Sequence, residues 1–394
     1  MLPPGFNTLQ AMKYFSYLNT AADIIQDYSG QQPFQLFIKD FFRQHKKYGS
    51  TDRKQITHLC YCCFRLGKSL QAVALPERIL TGLFLCSHEN NELLNRLRPA
   101  WNEQIHLAVD QKLAFLNMTI EDLELFPCTN QISTTIDHTG FVLSHLIQPD
   151  VFLRIRPGRQ QQVLRKLEQS GASFSIENDD CIRLPNGSKT DSIIDINKEA
   201  VVQDYNSQRT GNFLRLIQVD LPRTWDCCAA SGGKSIMAKD ILGDIDLTVS
   251  DIREQIIINL KKRFNEAGIN RYKAIVADLS APVDHLKKDG FQLIIADVPC
   301  TGSGTWGRTP EQLSFFSERE IDRYQQLQKK IIGNAMHHLQ ENGYLLYITC
   351  SVFKKENEDM VDFITAAGAK TVKAGILKGY HIKADTMFAA LMRK

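Results

Sequence analysis

Two cysteines and one acid are the residues best equipped for covalent chemistry in this chain. Asp297 and Cys300 belong to the segment Asp-Val-Pro-Cys (297–300), and Cys350 directly follows the apolar run 344–349. Both segments come after a stretch that predicts a buried strand. Because ligands of parallel α/β sheets bind outside the carboxyl ends of the strands, we expect all three side chains at one edge.

Two thiols and a carboxyl group suit methylation of a cytosine ring at C5. A thiolate that adds to C6 makes C5 nucleophilic enough to attack an electrophilic methyl group. An acid near N3 or the exocyclic amine stabilises the charge on the ring, and a base then removes the C5 proton. We therefore predict Cys350, Cys300 and Asp297 as catalytic residues, and the spacing leaves open which thiol attacks.

The alternative interpretation of any free cysteine is a small buried hydrophobic residue. We favour that interpretation for the cysteines outside the predicted crevice, which are Cys60, Cys62, Cys63, Cys86, Cys128 and Cys181. Cys60 and Cys63 form a C-x-x-C pair, but without a second pair we expect no metal site.

A loop of small residues after the predicted strand 223–226 is the candidate cofactor site. Its backbone can lie close to a ligand, and Asp251 follows the glycines by about 20 residues, where an acid commonly binds ribose hydroxyls. Alternatively, Gly232 and Gly233 allow a tight strand-to-helix turn. A phosphate-binding P-loop is disfavoured because Cys228 stands where its first glycine belongs. The predicted cofactor-binding residues are Cys228, Ala229, Ala230, Ser231, Gly232, Gly233, Lys234, Asp251, Asp278 and Asp297.

The elements that position these residues alternate between strands and helices. The predicted strands are 223–226, 246–250, 274–277, 293–296 and 344–349, with a helical stripe from Ile321 to Leu339 that stops at Asn342-Gly343. This alternation predicts an α/β fold with a mostly parallel sheet covered by helices.

The rest of the chain predicts two further domains before the catalytic domain, 208–394. Residues 1–145 have helical periodicity, including an apolar face on 52–66 and a stripe of Leu93, Leu97, Trp101 and Ile105. Residues 146–207 predict a small α+β domain with a strand at 151–156 and a helix at 160–169. That domain carries basic residues that could hold RNA phosphates or form a solvated face: Arg154, Arg156, Arg159, Arg165 and Lys166. Trp306 and Arg308, just after the Pro-Cys segment, could contact the nucleotide. Alternatively, Trp306 is a core aromatic residue and Arg308 a surface charge.

The composition is that of a soluble globular protein, with 43% hydrophobic and 23% charged residues and a formal net charge of +3. Any basic surface must therefore be local. The N-terminus lacks the pattern of a signal peptide and no apolar run approaches a membrane span. We expect a cytoplasmic protein, a monomer, with reduced thiols.

Four segments resemble the RsmB/Nop/NSUN family of RNA 5-methylcytosine methyltransferases. They are 202–208 (Val-Gln-Asp-Tyr-Asn-Ser-Gln), 226–234 (Asp-Cys-Cys-Ala-Ala-Ser-Gly-Gly-Lys), 297–305 around the Pro-Cys pair, and Thr349-Cys350-Ser351 with Glu356-Asn357-Glu358. The resemblance covers about 150–394. Ser231 replaces the proline usual in the cofactor loop, and Arg253 stands where an acid is common.

The resemblance implies a Rossmann-like class I methyltransferase domain that uses S-adenosyl-L-methionine on RNA. It implies that Cys350 is the nucleophile, that Cys300 assists product release and that Asp297 lies nearest the target ring. Ribosomal RNA is the favoured substrate on the resemblance to RsmB, whose NusB-like domain the N-terminal region resembles only faintly, and transfer RNA remains open. The competing hypotheses are a catalytically silent RNA-binding assembly factor, and a methyltransferase acting on protein or DNA.

Overall fold

The structure is a computed structural model that describes residues 8–219, 222–283, 286 and 288–394. It divides into two compact units. The first contains the residues up to Thr129 together with Thr139–Ile147 and Trp306–Ser317; the second contains Asn130–His138, Gln148–Thr305 and Glu318–Lys394. Both sheets lie in the second unit. The division into compact units therefore gives no boundary between the predicted domains 146–207 and 208–394, and that boundary stays a prediction.

The described residues form α-helices and β-strands in the following order. The helices are α1 (Thr8–Asp27), α2 (Phe34–Gln44), α3 (Ser50–Phe64), α4 (Leu75–Cys86), α5 (Glu92–Leu97), α6 (Pro99–Glu103), α7 (Val109–Phe115), α8 (His138–Ser144), α9 (Gln160–Gln169), α10 (Tyr205–Arg209), α11 (Gly211–Leu214), α12 (Gly233–Leu242), α13 (Glu254–Glu266), α14 (Gln312–Phe315), α15 (Arg319–Met336) and α16 (Glu358–Ala366). The strands are β1 (Val151–Ile155), β2 (Ser175–Asn178), β3 (Cys181–Leu184), β4 (Ala200–Val202), β5 (Arg223–Asp226), β6 (Asp246–Asp251), β7 (Lys273–Val276), β8 (Phe291–Asp297), β9 (Leu339–Thr349), β10 (Lys370–Leu377) and β11 (Met387–Arg393).

The first unit is helical, as the periodicity predicts. On α3 the predicted face of Ile56, Leu59, Cys60 and Cys63 is fully buried in the helical core. The predicted stripe 93–105 is not one helix, because Pro99 cannot continue α5 and instead begins α6.

The second unit is built on a seven-stranded sheet in the order β10-β11-β9-β8-β5-β6-β7. The five strands from β5 to β9 pair in parallel, so the predicted mostly parallel sheet is confirmed. The chain moves from β5 towards β7 and then returns to the other side of β5 with β8. This reversal opens a ligand crevice beyond the ends of β5 and β8.

The predicted helix ending at Asn342 is wrong in its last turn. Helix α15 stops at Met336, because Leu339 already pairs with Phe291 at the start of β9. Asn342 adopts a left-handed conformation, φ 64°, where the β8–β9 register shifts, so it forms an irregularity in the strand. The edge pair β10 and β11 runs antiparallel and lies beyond the predicted strands.

The second unit also contains a four-stranded sheet in the order β2-β3-β1-β4. Buried ion pairs connect this sheet to α12. Arg154 and Arg156 both bind Asp240 of α12 at 2.7 Å, and the side chains of Arg154 and Asp240 are each only 5% exposed. Lys166 binds the buried Glu199 at 2.8 Å. Three of the five predicted phosphate-binding side chains therefore form ion pairs within the protein, whereas Arg159 and Arg165 remain exposed.

Within the described residues, no helix is both long enough and apolar enough to cross a membrane.

Replacing Asp240 with Ala should destabilise the protein by about 3–5 kcal/mol, because two guanidinium groups would stay buried without their carboxylate. The free energy of unfolding in urea measures this loss. The control is Asp244→Ala, since Asp244 is 76% exposed and its ion pair with Lys239 is long at 3.9 Å. The control should change stability by no more than about 0.5 kcal/mol. Equal effects of the two substitutions would contradict the importance of the buried pair.

Candidate active site

The two cysteines meet because β8 and β9 are parallel neighbours that end side by side. Asp297, the last residue of β8, pairs with Ile348 near the end of β9. The chain leaves β8 through Val298 and Pro299 to Cys300, and leaves β9 directly to Cys350. The central strands are continuous apolar runs buried on both faces, which fixes where they end.

The side chains of Cys300 and Cys350 lie within hydrogen-bonding range of each other. The backbone N–H of Cys350 donates to Sγ of Cys300 at 3.3 Å, and both residues are half-buried and free of disulfides. Contact with the Cys300 thiol, together with burial, raises the pKa of Cys350 well above its usual range, while the Lys234 ammonium opposes this shift. Cys350 therefore rests as a thiol, and only its deprotonated form would be a nucleophile.

Lys234 carries the positive charge beside the thiols. Its ammonium donates to Asp297 Oδ2 at 2.9 Å and to the Ser207 hydroxyl at 2.8 Å. Burial acts to lower the pKa of Lys234, but the charges of Asp297 and Cys350 outweigh burial and raise it. Lys234 thus stays protonated, and it stabilises negative charge on both Asp297 and Cys350.

A cavity of about 380 Å³ adjoins this group, beyond the ends of β5, β6 and β8. Three carboxylates and one arginine line it among mostly apolar side chains. Its lining residues are Cys227, Cys228, Ala230, Asp251, Ile252, Arg253, Ala277, Asp278, Leu279, Asp297, Val298, Pro299, Leu327 and Ile331. Its size and its few polar groups are those of a small-molecule site.

The structure brings half of the predicted cofactor residues to the cavity wall: Cys228, Ala230, Asp251, Asp278 and Asp297. The others form the support of the loop. Ala229 is buried and its N–H donates to Ser250, Gly233 begins α12, and Lys234 faces Asp297.

The loop depends on Gly232 at its turn into α12. Its φ of +82° is left-handed, and a Cβ there would lie 2.5 Å from the ring of Phe264. The tight-turn interpretation therefore holds for Gly232. Ser231, in the position of the family's proline, is held by Arg263, which donates to its hydroxyl at 2.7 Å.

Arg253, which departs from the family pattern, binds the acid at the end of β6. Its Nε donates to Asp251 Oδ1 at 3.1 Å, and its side chain is 62% exposed. The backbone N–H of Arg253 also donates to Asp251, at 3.0 Å. The carboxylate of Asp251 is thus oriented at the cavity edge by its own loop.

Ser207 was not predicted as a member of this site, although its hydroxyl accepts from Lys234. Ser207 lies in α10 and precedes the parallel sheet, so strand-end reasoning does not reach it. Its signal was the segment 202–208, quoted for the family resemblance. Glu356 was missed in the same way, within the quoted Glu-Asn-Glu segment.

Trp306 lies in the core of the first unit. It is 1% exposed, and its ring is 4.6 Å from that of Phe316 and 5.1 Å from that of Phe126. The core-aromatic interpretation therefore applies, and stacking of Trp306 on a nucleotide is excluded. Arg308 is half-buried.

Comparison with known families identifies the domain that contains this site. Residues 213–381 match the family model described as 16S rRNA methyltransferase RsmB/F. Over this segment the chain is similar to the RsmB/F methyltransferases. The family resemblance predicted from the motifs is confirmed.

Curated relatives of this segment are similar over part of their length. Ribosomal RNA small subunit methyltransferase B of Klebsiella pneumoniae (strain 342) is 29% identical over 169 residues, which is 42% of this chain and 38% of that protein. The protein of the same name from Salmonella paratyphi A is 31% identical over 138 residues, 34% of this chain and 32% of that protein. The chain thus spans between 32% and 38% of the length of these relatives.

Solved structures confirm the fold. The crystal structure of PH0851 covers 100% of this chain and 99% of its own, with a TM-score of 0.70 and 18% identity. NSun6 from Pyrococcus horikoshii, solved with SFG, covers 69% of this chain and 99% of its own, with a TM-score of 0.58 and 14% identity.

Asp226 places a buried acid beneath the cofactor loop. Ser235 donates to its Oδ2 at 2.6 Å, whereas Oδ1 has no hydrogen-bond partner among the described residues. Burial above all raises the pKa of Asp226 from 3.8 to about 7, and the charge of Asp297 adds to the shift. The folded state therefore holds this proton more tightly than the unfolded state does.

Asp226→Asn should remove this pH dependence. The stabilising contribution of the proton is complete below the unfolded pKa of 3.8 and is lost as pH rises through about 7. The wild type should therefore lose stability relative to the variant from about pH 4 to about pH 7, and the difference should level off above that. Urea unfolding across this range measures the difference, and parallel curves for the two proteins would contradict the shift.

Proposed function

We propose that this protein is an RNA (cytosine-C5) methyltransferase that uses S-adenosylmethionine and acts on ribosomal RNA. The observation that carries the proposal is the contact of the Cys300 and Cys350 thiols beside the Lys234–Asp297 ion pair. A binding protein has no use for two thiols in contact at the carboxyl edge of the sheet. Amine and carboxyl targets, such as those in proteins, need no covalent activation by a thiol.

The residues present fit a cationic methyl donor. The cavity is lined by Asp251, Asp278 and Asp297, and a sulfonium is attracted by such carboxylates. Bound S-adenosylmethionine supplies the electrophilic methyl group. SFG, present in the NSun6 structure, is an analogue of S-adenosylmethionine, which supports the same ligand here.

The side chains of this chain account for the steps at the cytosine ring. The Cys350 thiolate, favoured by Lys234, attacks C6 and forms an S–C6 bond, and the ring electrons move to C5. C5 would then take the methyl group of the sulfonium donor, whose S–CH3 bond breaks and leaves a neutral thioether. Asp297, held by Lys234, would accept a hydrogen bond from the exocyclic amine near N3, and the Lys234 ammonium would offset the negative charge that the thiolate brings to the ring. Removal of the C5 proton sends electrons back into the ring and breaks the S–C6 bond, a step that Cys300 assists.

Ribosomal RNA is proposed as the substrate from the names of the curated relatives. Both are ribosomal RNA small subunit methyltransferases B. The cytosine must leave its stack to reach the thiols, because a base inside a helix cannot present C6 to Cys350.

Replacing Cys300 with Ala should trap a covalent protein–RNA adduct, because attack by Cys350 proceeds while elimination stalls. Replacing Cys350 with Ala should abolish both the adduct and methyl transfer. The measurement is denaturing electrophoresis after incubation with unmodified small-subunit ribosomal RNA and S-adenosylmethionine. The reverse pattern would exchange the roles of the thiols, and no methyl transfer by the wild type to any RNA would favour a silent assembly factor.

Deletion of the gene should remove 5-methylcytosine from ribosomal RNA and leave transfer RNA unchanged. Sequencing that detects 5-methylcytosine in total RNA, with and without the protein, measures this. Restoration by the wild type but not by Cys350→Ala is the control. Loss of the modification from transfer RNA alone would overturn the substrate assignment.

A further inference from the structure

A carboxylate that takes no part in the proposed chemistry is buried directly behind the two cysteine loops. Glu356 is 0% exposed and receives four hydrogen bonds. Its Oε1 accepts from the backbone N–H of Thr301 at 3.0 Å and from Nε2 of Gln328 at 2.9 Å. Its Oε2 accepts from the Thr301 hydroxyl at 2.5 Å and from the Ser351 hydroxyl.

Two of the three donor residues directly follow the cysteines in the chain. Thr301 follows Cys300, and Ser351 follows Cys350. One carboxylate therefore binds both loops at the residue next to each cysteine. On the other side of this connection, the backbone N–H of Cys350 donates to Sγ of Cys300.

The carboxylate is itself supported from behind. Gln328 of α15 donates both to Glu356 and to the carbonyl of Pro299, at 3.0 Å. The hydroxyl of the fully buried Tyr347 donates to the backbone carbonyl of Glu356 at 2.7 Å. Asn357 fixes the end of β9, accepting from Thr349 at 2.6 Å and donating to the Ser351 carbonyl at 2.9 Å.

We propose that Glu356 is a positioning residue that ties the Cys300 loop to the Cys350 loop and so keeps the two sulfur atoms in contact. Its catalytic consequence rests on the proposed function, but its effect on the distance between the sulfurs does not. Two loops at the ends of separate strands have no covalent connection near the thiols. Four hydrogen bonds to one buried carboxyl group supply that connection.

Glutamine should replace Glu356 with little loss. Its carbonyl oxygen can accept from the Thr301 N–H and from the Gln328 amide. The Gln328 amide must remain a donor, because it also donates to the carbonyl of Pro299. Its amide nitrogen then faces the two hydroxyl groups, and those can rotate to accept. Alanine offers none of these contacts, so Glu356→Ala and Glu356→Gln form a matched pair.

The first experiment measures the distance between the sulfurs without any methyl transfer. Dibromobimane joins two nearby thiols, each thiolate displacing one bromide, and peptide mass spectrometry identifies the Cys300–Cys350 cross-link. Wild type and Glu356→Gln should form this cross-link at similar rates, and in Glu356→Ala its rate should fall about tenfold as the loops separate. Glu199→Ala is the control: Glu199 is also buried and hydrogen-bonded, to Lys166 and Gln162, but away from the thiols.

The second experiment separates positioning from general loss of structure. In Glu356→Ala, kcat for methyl transfer should fall about 100-fold, since a displacement of about 1 Å has this effect, while KM for S-adenosylmethionine stays near the wild-type value. Glu356→Gln should recover most of kcat. If Glu356→Ala does not fold, Thr301→Val and Ser351→Ala each remove one side of the connection and should give smaller losses of the same kind.

The outcomes distinguish the inference from the proposed function. An unchanged cross-linking rate in folded Glu356→Ala, or no cross-link in the wild type, overturns the positioning role. A cross-link that depends on residue 356 in a protein without methyl transfer supports the positioning role and overturns the proposed function. An equal loss of cross-linking in Glu199→Ala also overturns the positioning role, because the effect would then follow from lost stability.

Discussion

The parallel register of β8 and β9 is the constraint on which the site depends. Because Asp297 pairs with Ile348, the two strands end together, and the first residues beyond them have to share one small volume. Neither cysteine is near the other in sequence, and no disulfide or metal is needed to unite them. A sheet with neighbouring parallel strands turns two separate loops into one reactive centre, and the buried polar groups behind the loops determine how closely they approach.

Opposing electrostatic effects on Cys350 keep it protonated at rest and also favour its deprotonation for attack. The Cys300 contact and burial favour the protonated form of Cys350, whereas the Lys234 ammonium favours the thiolate. Lys234 is in turn held by Asp297 and Ser207, which come from different elements. The acid that would face the ring and the cation that would favour attack are therefore one ion pair, so neither can be altered without disturbing the other.

The convergence of β8 and β9 could be predicted because the apolar run 293–296 is followed by Asp297 and the mostly apolar run 344–349 is followed by Cys350. The burial of Arg154 and Arg156 could not be predicted, since their partner Asp240 lies 84 residues beyond Arg156. Nothing in the local sequence distinguishes a buried arginine from an exposed one. The role of Trp306 could not be predicted for the same reason. An aromatic residue after such a loop can either stack on a nucleotide base or pack in the hydrophobic core. The roles of Cys228 to Lys234 as ligand contacts, the cytoplasmic location and the monomeric state stay predictions.

The pairing of Arg154 and Arg156 with Asp240 has a consequence for where this protein can be divided. The family match begins at residue 213, yet the charges that complete α12 come from β1 and its following turn, and Ser207 reaches Lys234 from before that limit. A fragment trimmed to the matched range would leave the carboxylate of Asp240 without either arginine. A fragment that keeps these contacts therefore begins upstream of Val151 and includes the four-stranded sheet.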